Sequence, residues 1–460
     1  MTWTTVLPPL IAIMFVLWKK EVVSALFIAL LSSELLLVIK GEQPLLMTVI
    51  NAIERIVSVA SSAGNARILL FSLGIGAVLA FIRDSGGVTA TVNKLINSGA
   101  ASTPRRAGAL TMGTGIAVFV ESNLSVLTAG ILSRGLFDRF SMSRARLAYL
   151  IDSTSAPVCI LILLNGWGAY ILALLSGYEL EQSAASVLWS STAFNFYAIL
   201  TLVVAGYTVF SGKVYGPMKQ SEAEMQKQTS ASSEESEAVV VATKSRFMLL
   251  PLATLVFSMV GFMLWTGNGV LSEGSGSKSV LYATVLSLFV CFVLSVSHKT
   301  YSTQEFVSLS FKGIGELVPL VTIVLLSLCL GASLKELGTG VYVSGVVGSH
   351  IPVFAIAPVL FLTGAFISFT TGTSWGTFAI LIPIAVPLIQ TTGLPPAFLV
   401  GAVLGGGIFG DHCSPISDTT AVSALASGCD LLEHVKTQMP YALSVGGVTV
   451  VLYAIFGLML

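Results

Sequence analysis

Gly405-Gly406-Gly407-Ile408-Phe409-Gly410-Asp411-His412-Cys413-Ser414-Pro415-Ile416-Ser417-Asp418-Thr419-Thr420 is the stretch on which the reading of this chain turns. It sets two aspartates, a proline, several glycines and a row of serine and threonine hydroxyls inside a sequence otherwise built for lipid. A carboxylate at mid-bilayer costs about 2.5–3.5 kcal/mol on insertion scales, so it is kept there chiefly where it works. The glycines, Gly410 among them, and Pro415 are expected to break the helix. Freed backbone groups at membrane depth are tolerated only where they are buried in protein or line a cavity. The stretch therefore predicts a cation or substrate site in a transporter.

Composition supports a membrane setting. The 460 residues are 54% hydrophobic and 10% charged, with a mean hydropathy of +0.89. Soluble domains carry about 25% charge, so a soluble protein is excluded. Net charge is zero, which leaves no basic footprint for nucleic acid. The five cysteines (Cys159, Cys291, Cys329, Cys413, Cys429) are scattered and form no CxxC. That pattern suggests neither a disulfide framework nor a zinc site. A P-loop is missing, so ATP drive within the chain is unsupported, and no HExxH or GxSxG in a useful context suggests an enzyme. No cofactor is expected. The apolar run Val6–Trp18 is followed, not preceded, by Lys19-Lys20, which reads as a short first span rather than a signal peptide.

Apolar segments of span length fall at 4–18, 21–39 and 66–83, with an interrupted stretch at 107–133, a broken one at 146–177 and a clean span at 185–210. After a polar linker at 211–246 come 247–267, 279–297 and 316–337, then an interrupted stretch at 352–390, a broken one at 396–428 and a last span at 437–460. The halves 1–210 and 247–460 thus present the same elements in the same order. Phe119-Val120-Glu121-Ser122-Asn123-Leu124-Ser125 aligns with Phe369-Thr370-Thr371-Gly372-Thr373-Ser374-Trp375, and Asp152-Ser153-Thr154-Ser155 with Asp411-His412-Cys413-Ser414. If each interrupted stretch is a re-entrant hairpin, each half crosses five times and the odd number inverts the second half. The expected fold is an all-α polytopic membrane protein of two inverted repeats, each of five spans plus a re-entrant hairpin, with broken helices. Interrupted segments at matching positions of two halves point to a transporter's site.

Lys19, Arg105, Arg106, Arg134, Arg139, Arg144, Arg146, Lys213 and Lys219 fall on the side of the 211–246 linker, while Lys40, Arg55, Arg67, Lys278 and Lys335 fall opposite. The positive-inside rule then places the linker in the cytoplasm. The linker reads as a solvated, partly disordered tether. Segments 43–60, 88–98 and 303–314 look amphipathic, as surface helices or plain loops.

Asp411 and Asp418 are expected to converge on the break at Pro415. Carboxylates, hydroxyls and carbonyls are hard oxygen ligands that suit hard cations. A carboxyl group can hold a cation or a proton but not both, which is the simplest physical basis for exchange. One of the two aspartates could instead cap a half-helix. Asp152 is the first-half counterpart, next to a break at Ala156-Pro157; it could couple transport or pair with Arg144 or Arg146. Glu121 stands alone at the first hairpin tip, where it needs a partner or a proton. Asn165, Trp167 and Tyr170 read equally as packing. His412 is a tempting proton relay, although its counterpart is Ser153. His434 reads as a loop histidine or a pH sensor at a cytoplasmic boundary.

At these residues the chain resembles the NhaC family of sodium/proton antiporters. The resemblance lies in Gly410-Asp411-His412-Cys413-Ser414-Pro415-Ile416-Ser417-Asp418-Thr419-Thr420, in Thr371-Gly372-Thr373-Ser374-Trp375-Gly376-Thr377, in Ser143 to Cys159, and in His434-Val435-Lys436-Thr437-Gln438-Met439-Pro440-Tyr441. It implies a multi-pass secondary transporter of the bacterial inner membrane, of elevator type, in which a transport domain moves against a scaffold. It implies exchange of cytoplasmic Na⁺ or Li⁺ for external H⁺. Asp152, Asp411, Asp418 and Glu121 would couple the ions, with Na⁺ at Asp411, Asp418 and Asp152. Asn123, Ser153, Thr154, Ser155, Thr371, Thr373, Ser374, Ser414, Ser417, Thr419 and Thr420 would supply ligands, and Pro157, Gly372, Gly410 and Pro415 the helix breaks. Family members of this type often carry two adjacent acids at the first tip, where this chain reads Glu121-Ser122. Some relatives move malate, lactate or amino acids, so Na⁺- or H⁺-coupled transport of a small organic acid or amino acid is the alternative. The expected partners are Na⁺, H⁺, lipid, a small organic solute and a second copy of the chain.

Overall fold

The computed structural model describes residues 3–19, 21–87, 90–91, 94, 102–119, 122–163, 165–176, 178, 180, 182–228, 243–270 and 274–460. All the regular secondary structure among these residues is helical, with no strand among them. Eight helices are long and apolar enough to cross a membrane, or up to ten spans if each of two bent pairs is one span. The chain is a multi-pass membrane protein.

The first half opens with a 3-10 turn, Trp3–Val6, and runs through α1 (Leu7–Lys19), α2 (Val22–Lys40), α3 (Met47–Ser61) and α4 (Ala63–Asp84). Next come a hairpin, α5 (Pro104–Ala117) and α6 (Ser122–Arg139), and a broken element, α7 (Arg144–Ser153), α8 (Ala156–Leu161) and α9 (Gly166–Ser176). The half ends with α10 (Ala184–Ser191) and α11 (Phe196–Ser211). The second half follows the short α12 (Pro217–Gln228) with α13 (Arg246–Thr266), α14 (Gly276–Ser297), α15 (Thr303–Leu337) and α16 (Thr339–His350). A second hairpin, α17 (Val353–Thr371) and α18 (Ser374–Thr392), precedes a second broken element, α19 (Pro396–Cys413) and α20 (Asp418–Ser427), and the final α21 (Leu431–Met459).

Four expectations change. The glycines do not break α19. Gly406 and Gly410, four residues apart, share one face. A Cβ on them would lie 2.3 Å from the Phe361 carbonyl oxygen and 2.2 Å from that of Ala365. Their role is to let α19 and α17 touch backbone to backbone, the small-residue packing that membrane helices use. The break itself falls at 414–417, around Pro415. Second, the clean span 185–210 bends by 43°. The bend sits at Asn195, whose side chain accepts from the Ala198 amide and starts α11 afresh. Third, segment 303–314 is no separate surface helix but the first part of the 35-residue α15, opened by a Ser302/Glu305 capping box.

Fourth, the linker is not wholly a solvated tether. Residues 217–228 form α12, and its Glu222 is buried. Glu222 accepts from the Ser143 amide and hydroxyl, both at 3.2 Å, and pairs with Arg146 at 3.6 Å. Ser221 donates to Glu433 at 2.7 Å. The helix is therefore fastened to α7 and α21. Residues 229–242, and most of 88–98, lie outside the described residues.

α19 forms the centre, with 94% of its apolar window buried. It packs on α17, α18, α10, α11 and α21, while α4 crosses α14 and α15. The α4–α15 crossing passes through Gly76, where a Cβ would lie 2.3 Å from the Gly313 carbonyl oxygen.

Candidate functional site

Two polar centres form where the broken helices meet the rest of the fold. The first lies at the 414–417 break. Asp411 is buried near the end of α19. Ser417 donates to its Oδ1 at 2.8 Å, and Ser374 and Thr419 donate to Oδ2, each at 3.3 Å. Two helix ends supply these hydroxyls. Ser374 begins α18 at the second hairpin tip; Ser417 caps α20 by accepting from the Thr420 amide; Thr419 lies in the first turn of α20. The tip is pressed onto the break. Gly372 ends α17 with φ +68, and a Cβ there would lie 2.5 Å from the Ile416 carbonyl oxygen. Ser414 donates to the Phe369 carbonyl at 2.7 Å, so its hydroxyl fastens the tip rather than facing Asp411. Thr371 and Thr373 close the tip between themselves, the Thr373 amide donating to Thr371 Oγ1 at 3.2 Å.

Hydrogen bonds to a charged acceptor contribute about 1.5–3 kcal/mol each. Three of them offset the insertion cost of a carboxylate of about 2.5–3.5 kcal/mol. A hydroxyl rotates, so it can donate to a carboxylate, accept from a carboxylic acid or turn a lone pair toward a cation.

The second centre surrounds Asp152, fully buried at the end of α7. Its Oδ2 accepts from Gln438 Nε2 at 2.7 Å, His434 Nε2 at 3.3 Å and Thr420 Oγ1 at 3.4 Å. His412 Nε2 lies 3.1 Å from the Asp152 carbonyl oxygen and 3.9 Å from Oδ1, while its Nδ1 lies 3.1 Å from the Tyr197 hydroxyl. Thr420 links the two centres, since its hydroxyl also reaches the Asp411 carbonyl at 3.4 Å. Arg144 and Arg146, offered as partners for Asp152, go elsewhere: Arg144 pairs with Asp138 at 2.7 Å, and Arg146 donates to the Thr208 carbonyl at 2.7 Å.

His434 is not a loop histidine. Asp430 caps α21 by accepting from the Leu432 and Glu433 amides, which sets the phase of the helix. His434 and Gln438, four residues apart, then face Asp152 together, and both are buried. That spacing was the readable signal. Ser153 and Ser155 are buried, and Thr154 spends its hydroxyl on the Leu150 carbonyl at 2.7 Å. Pro157 lies in the first turn of α8, just past the break. Asn165 is a brace: its Nδ2 donates to the carbonyls of Phe119, Cys159 and Ile162 at 2.8–3.0 Å. Glu121 lies outside the described residues.

Asp418 lies close enough to Asp411 for the two carboxylates to interact, but no hydrogen bond among the described residues joins them. Its side chain is exposed to a recess of about 370 Å³ between α4, α15 and the two hairpin tips, which Ser122, Asn123, Thr373, Trp167 and Trp375 also line. The Thr419 amide donates to its Oδ1 at 2.9 Å.

Residues 158–458 match the Na⁺/H⁺ antiporter family. The chain belongs to that family. The motif resemblance to the NhaC antiporters is borne out, and the family is one of secondary antiporters. An uncharacterised protein of Haemophilus influenzae is 31% identical over 418 residues, covering 85% of this chain and 79% of its own. The NhaC Na⁺/H⁺ antiporter of Alkalihalophilus pseudofirmus is 31% identical over 104 residues, 23% of this chain and 22% of its own. The malate-2H⁺/Na⁺-lactate antiporter of Bacillus subtilis is 31% identical over 110 residues, 24% and 23% of the two chains. The fold is similar to that of the YdaH transporter of Alcanivorax borkumensis, with a TM-score of 0.58 at 12% identity over 88% of this chain and 86% of that one.

Proposed function

We propose that this antiporter exchanges cytoplasmic Na⁺ or Li⁺ for external H⁺ at the Asp411 centre. One observation carries the reading: a buried carboxylate ringed by Ser374, Ser417 and Thr419 where a hairpin tip meets a helix break. With the proton gone, Asp411 and the three hydroxyl oxygens form a hard-oxygen cage for a small cation. With the proton bound, the same hydroxyls satisfy the acid. Each ion displaces the other, so a gradient of one drives the other. Asp152 is the second acid of the cycle. Its Oδ2 is held by N–H donors from α21, and N–H groups repel a cation, so Asp152 serves the proton side.

Element order supports two repeats of inverted topology, 1–210 and 247–460. In each, a hairpin is followed by a helix that ends beside an aspartate, Asp152 in α7 and Asp411 in α19. Packing is reciprocal as well, α4 on α14 and α2 on α15. Alternating access then carries the tips and broken helices past the rest, in a bacterial inner membrane with the 211–246 linker in the cytoplasm.

A second reading, Na⁺- or H⁺-coupled transport of a small organic solute, is favoured by the recess at Asp418. The test is proton flux in proteoliposomes holding a pH gradient, with Na⁺, Li⁺ and K⁺ added separately. Collapse of the gradient by Na⁺, lost in Asp411→Asn, is expected. Wild-type exchange by that variant overturns the mechanism; silence toward every cation leaves the second reading.

A further inference from the structure

We propose that the recess between α4, α15 and the hairpin tips binds a small amine-bearing solute of amino-acid size, with its ammonium on Asp418 and its apolar part on Trp167 and Trp375. The inference rests on the second reading, that an organic solute uses this site, and it names the chemical class.

Size comes first. A cavity of about 370 Å³ is far more than a bare cation fills, and it falls within the range of about 300–1,000 Å³ typical of small-molecule sites. Charge comes second. Among the described residues, two carboxylates reach the wall, Glu316 and Asp418, and no Lys, Arg or His lines it. Glu316 is already held by Arg83 through two bonds of 2.9 Å. Asp418 accepts from the Thr419 amide at 2.9 Å and from the neutral Asn123 side chain, and it has no ion pair among the described residues. A dicarboxylate or lactate would bring negative charge to a wall without a countercharge of its own. An ammonium group supplies what the wall lacks.

The aromatic side is third. Trp375 stacks on Tyr170 with centroids 4.9 Å apart and lies 5.1 Å from Trp167. Tyr170 donates to the Trp375 carbonyl at 3.1 Å, which fixes the pair. Aromatic faces attract cations and cover apolar groups. Asn123 and Thr373 line the recess beside Asp418, and Asn123 hydrogen-bonds the Asp418 side chain.

The experiment is isothermal titration of the purified full-length protein with phenethylamine, L-leucine, L-malate and L-lactate. Phenethylamine and leucine are expected to bind, and malate and lactate not to. Asp418→Asn is expected to weaken phenethylamine at least tenfold. Trp375→Ala, which leaves the carboxylate in place, is expected to weaken it as well. Binding of malate or lactate in preference to the amines overturns the proposal, as does absence of amine binding at millimolar concentration, or wild-type binding of phenethylamine by both variants. Na⁺-triggered proton flux measured on the same preparations separates the two readings. Flux without amine binding sinks this proposal and keeps Na⁺/H⁺ exchange; amine binding without flux does the reverse.

Discussion

Gln438 donates from Nε2 to Asp152 Oδ2 at 2.7 Å and from the same nitrogen to the His412 carbonyl at 2.8 Å. One amide thereby ties α21 to α7 and α19, elements of both halves of the chain. The contact lies in the interior, with Gln438 and His412 each 1% exposed and Asp152 fully buried.

Gln438→Leu removes that donor and leaves a buried carboxylate and a buried carbonyl short of a partner. An unsatisfied buried group costs about 1–3 kcal/mol. A lower unfolding temperature in detergent is expected. Gln438→Glu differs in its pH dependence. It sets a second carboxylate beside Asp152, and two like charges in one site cannot both stay ionised. Its stability deficit should be greatest at neutral pH and shrink as acid protonates one of the pair. Thermal unfolding at two pH values checks this, and a deficit that does not change with pH sinks it.

The Gly410 contact predicts a steric effect. A Cβ there meets the Ala365 carbonyl oxygen at 2.2 Å and the Phe369 amide at 2.7 Å. Overpacking of this kind costs about 1–3 kcal/mol, and it pushes α17 and the Ser374 tip away from Asp411. Gly410→Ala should therefore lose both stability and Na⁺-driven flux. Gly261, with nothing within 4 Å of its Cβ, is the control. Gly261→Ala should be neutral or slightly stabilising, since Gly is worth about 1 kcal/mol less than Ala in a helix.

The linker helix gives a third test. Glu222 and Arg146 are both nearly buried and pair at 3.6 Å. Removing one partner of a buried pair costs about 3–5 kcal/mol, because the other charge is stranded. Glu222→Ala should expose the amides of α7 to hydrogen–deuterium exchange. Glu222→Gln, which keeps an acceptor for Ser143, should do so less. Equal exchange in both variants and wild type would sever the linker from the site.

Much of this was legible in the sequence. Apolar length marked the spans, and Asp152 and Asp411 stood out because charges are rare at that depth. Gly372 closes α17 in the αL conformation, which favours glycine. Gly410 was not legible as a contact, because a glycine in an apolar run signals a bend and a close contact alike, and only the position of α17 tells them apart. His434 and Gln438 were missed as site residues. Their four-residue spacing marks a shared helix face, but the partner lies 282 and 286 positions away in the chain, and no local pattern names it. The recess escaped notice for the same reason, since α4, α15 and the tips meet only in three dimensions.

Ser417 and Ser414 offer the sharpest contrast at the Asp411 centre, since both are buried hydroxyls of one break. Ser417 donates to Asp411 at 2.8 Å, whereas Ser414 donates to the Phe369 carbonyl at 2.7 Å. Losing an oxygen that contributes about 1.5 kcal/mol to a charged site is about tenfold in affinity. Ser417→Ala should therefore raise the KM for Na⁺ about tenfold. It should also cost about 1 kcal/mol of stability as a lost helix cap, and Ser417→Thr should restore both. Ser414→Ala should loosen the hairpin tip and shift stability with a smaller effect on KM. Flux titrated against Na⁺ for the three variants decides it: equal KM changes in Ser414→Ala and Ser417→Ala would mean that the hydroxyls serve the fold alone and the cation binds elsewhere.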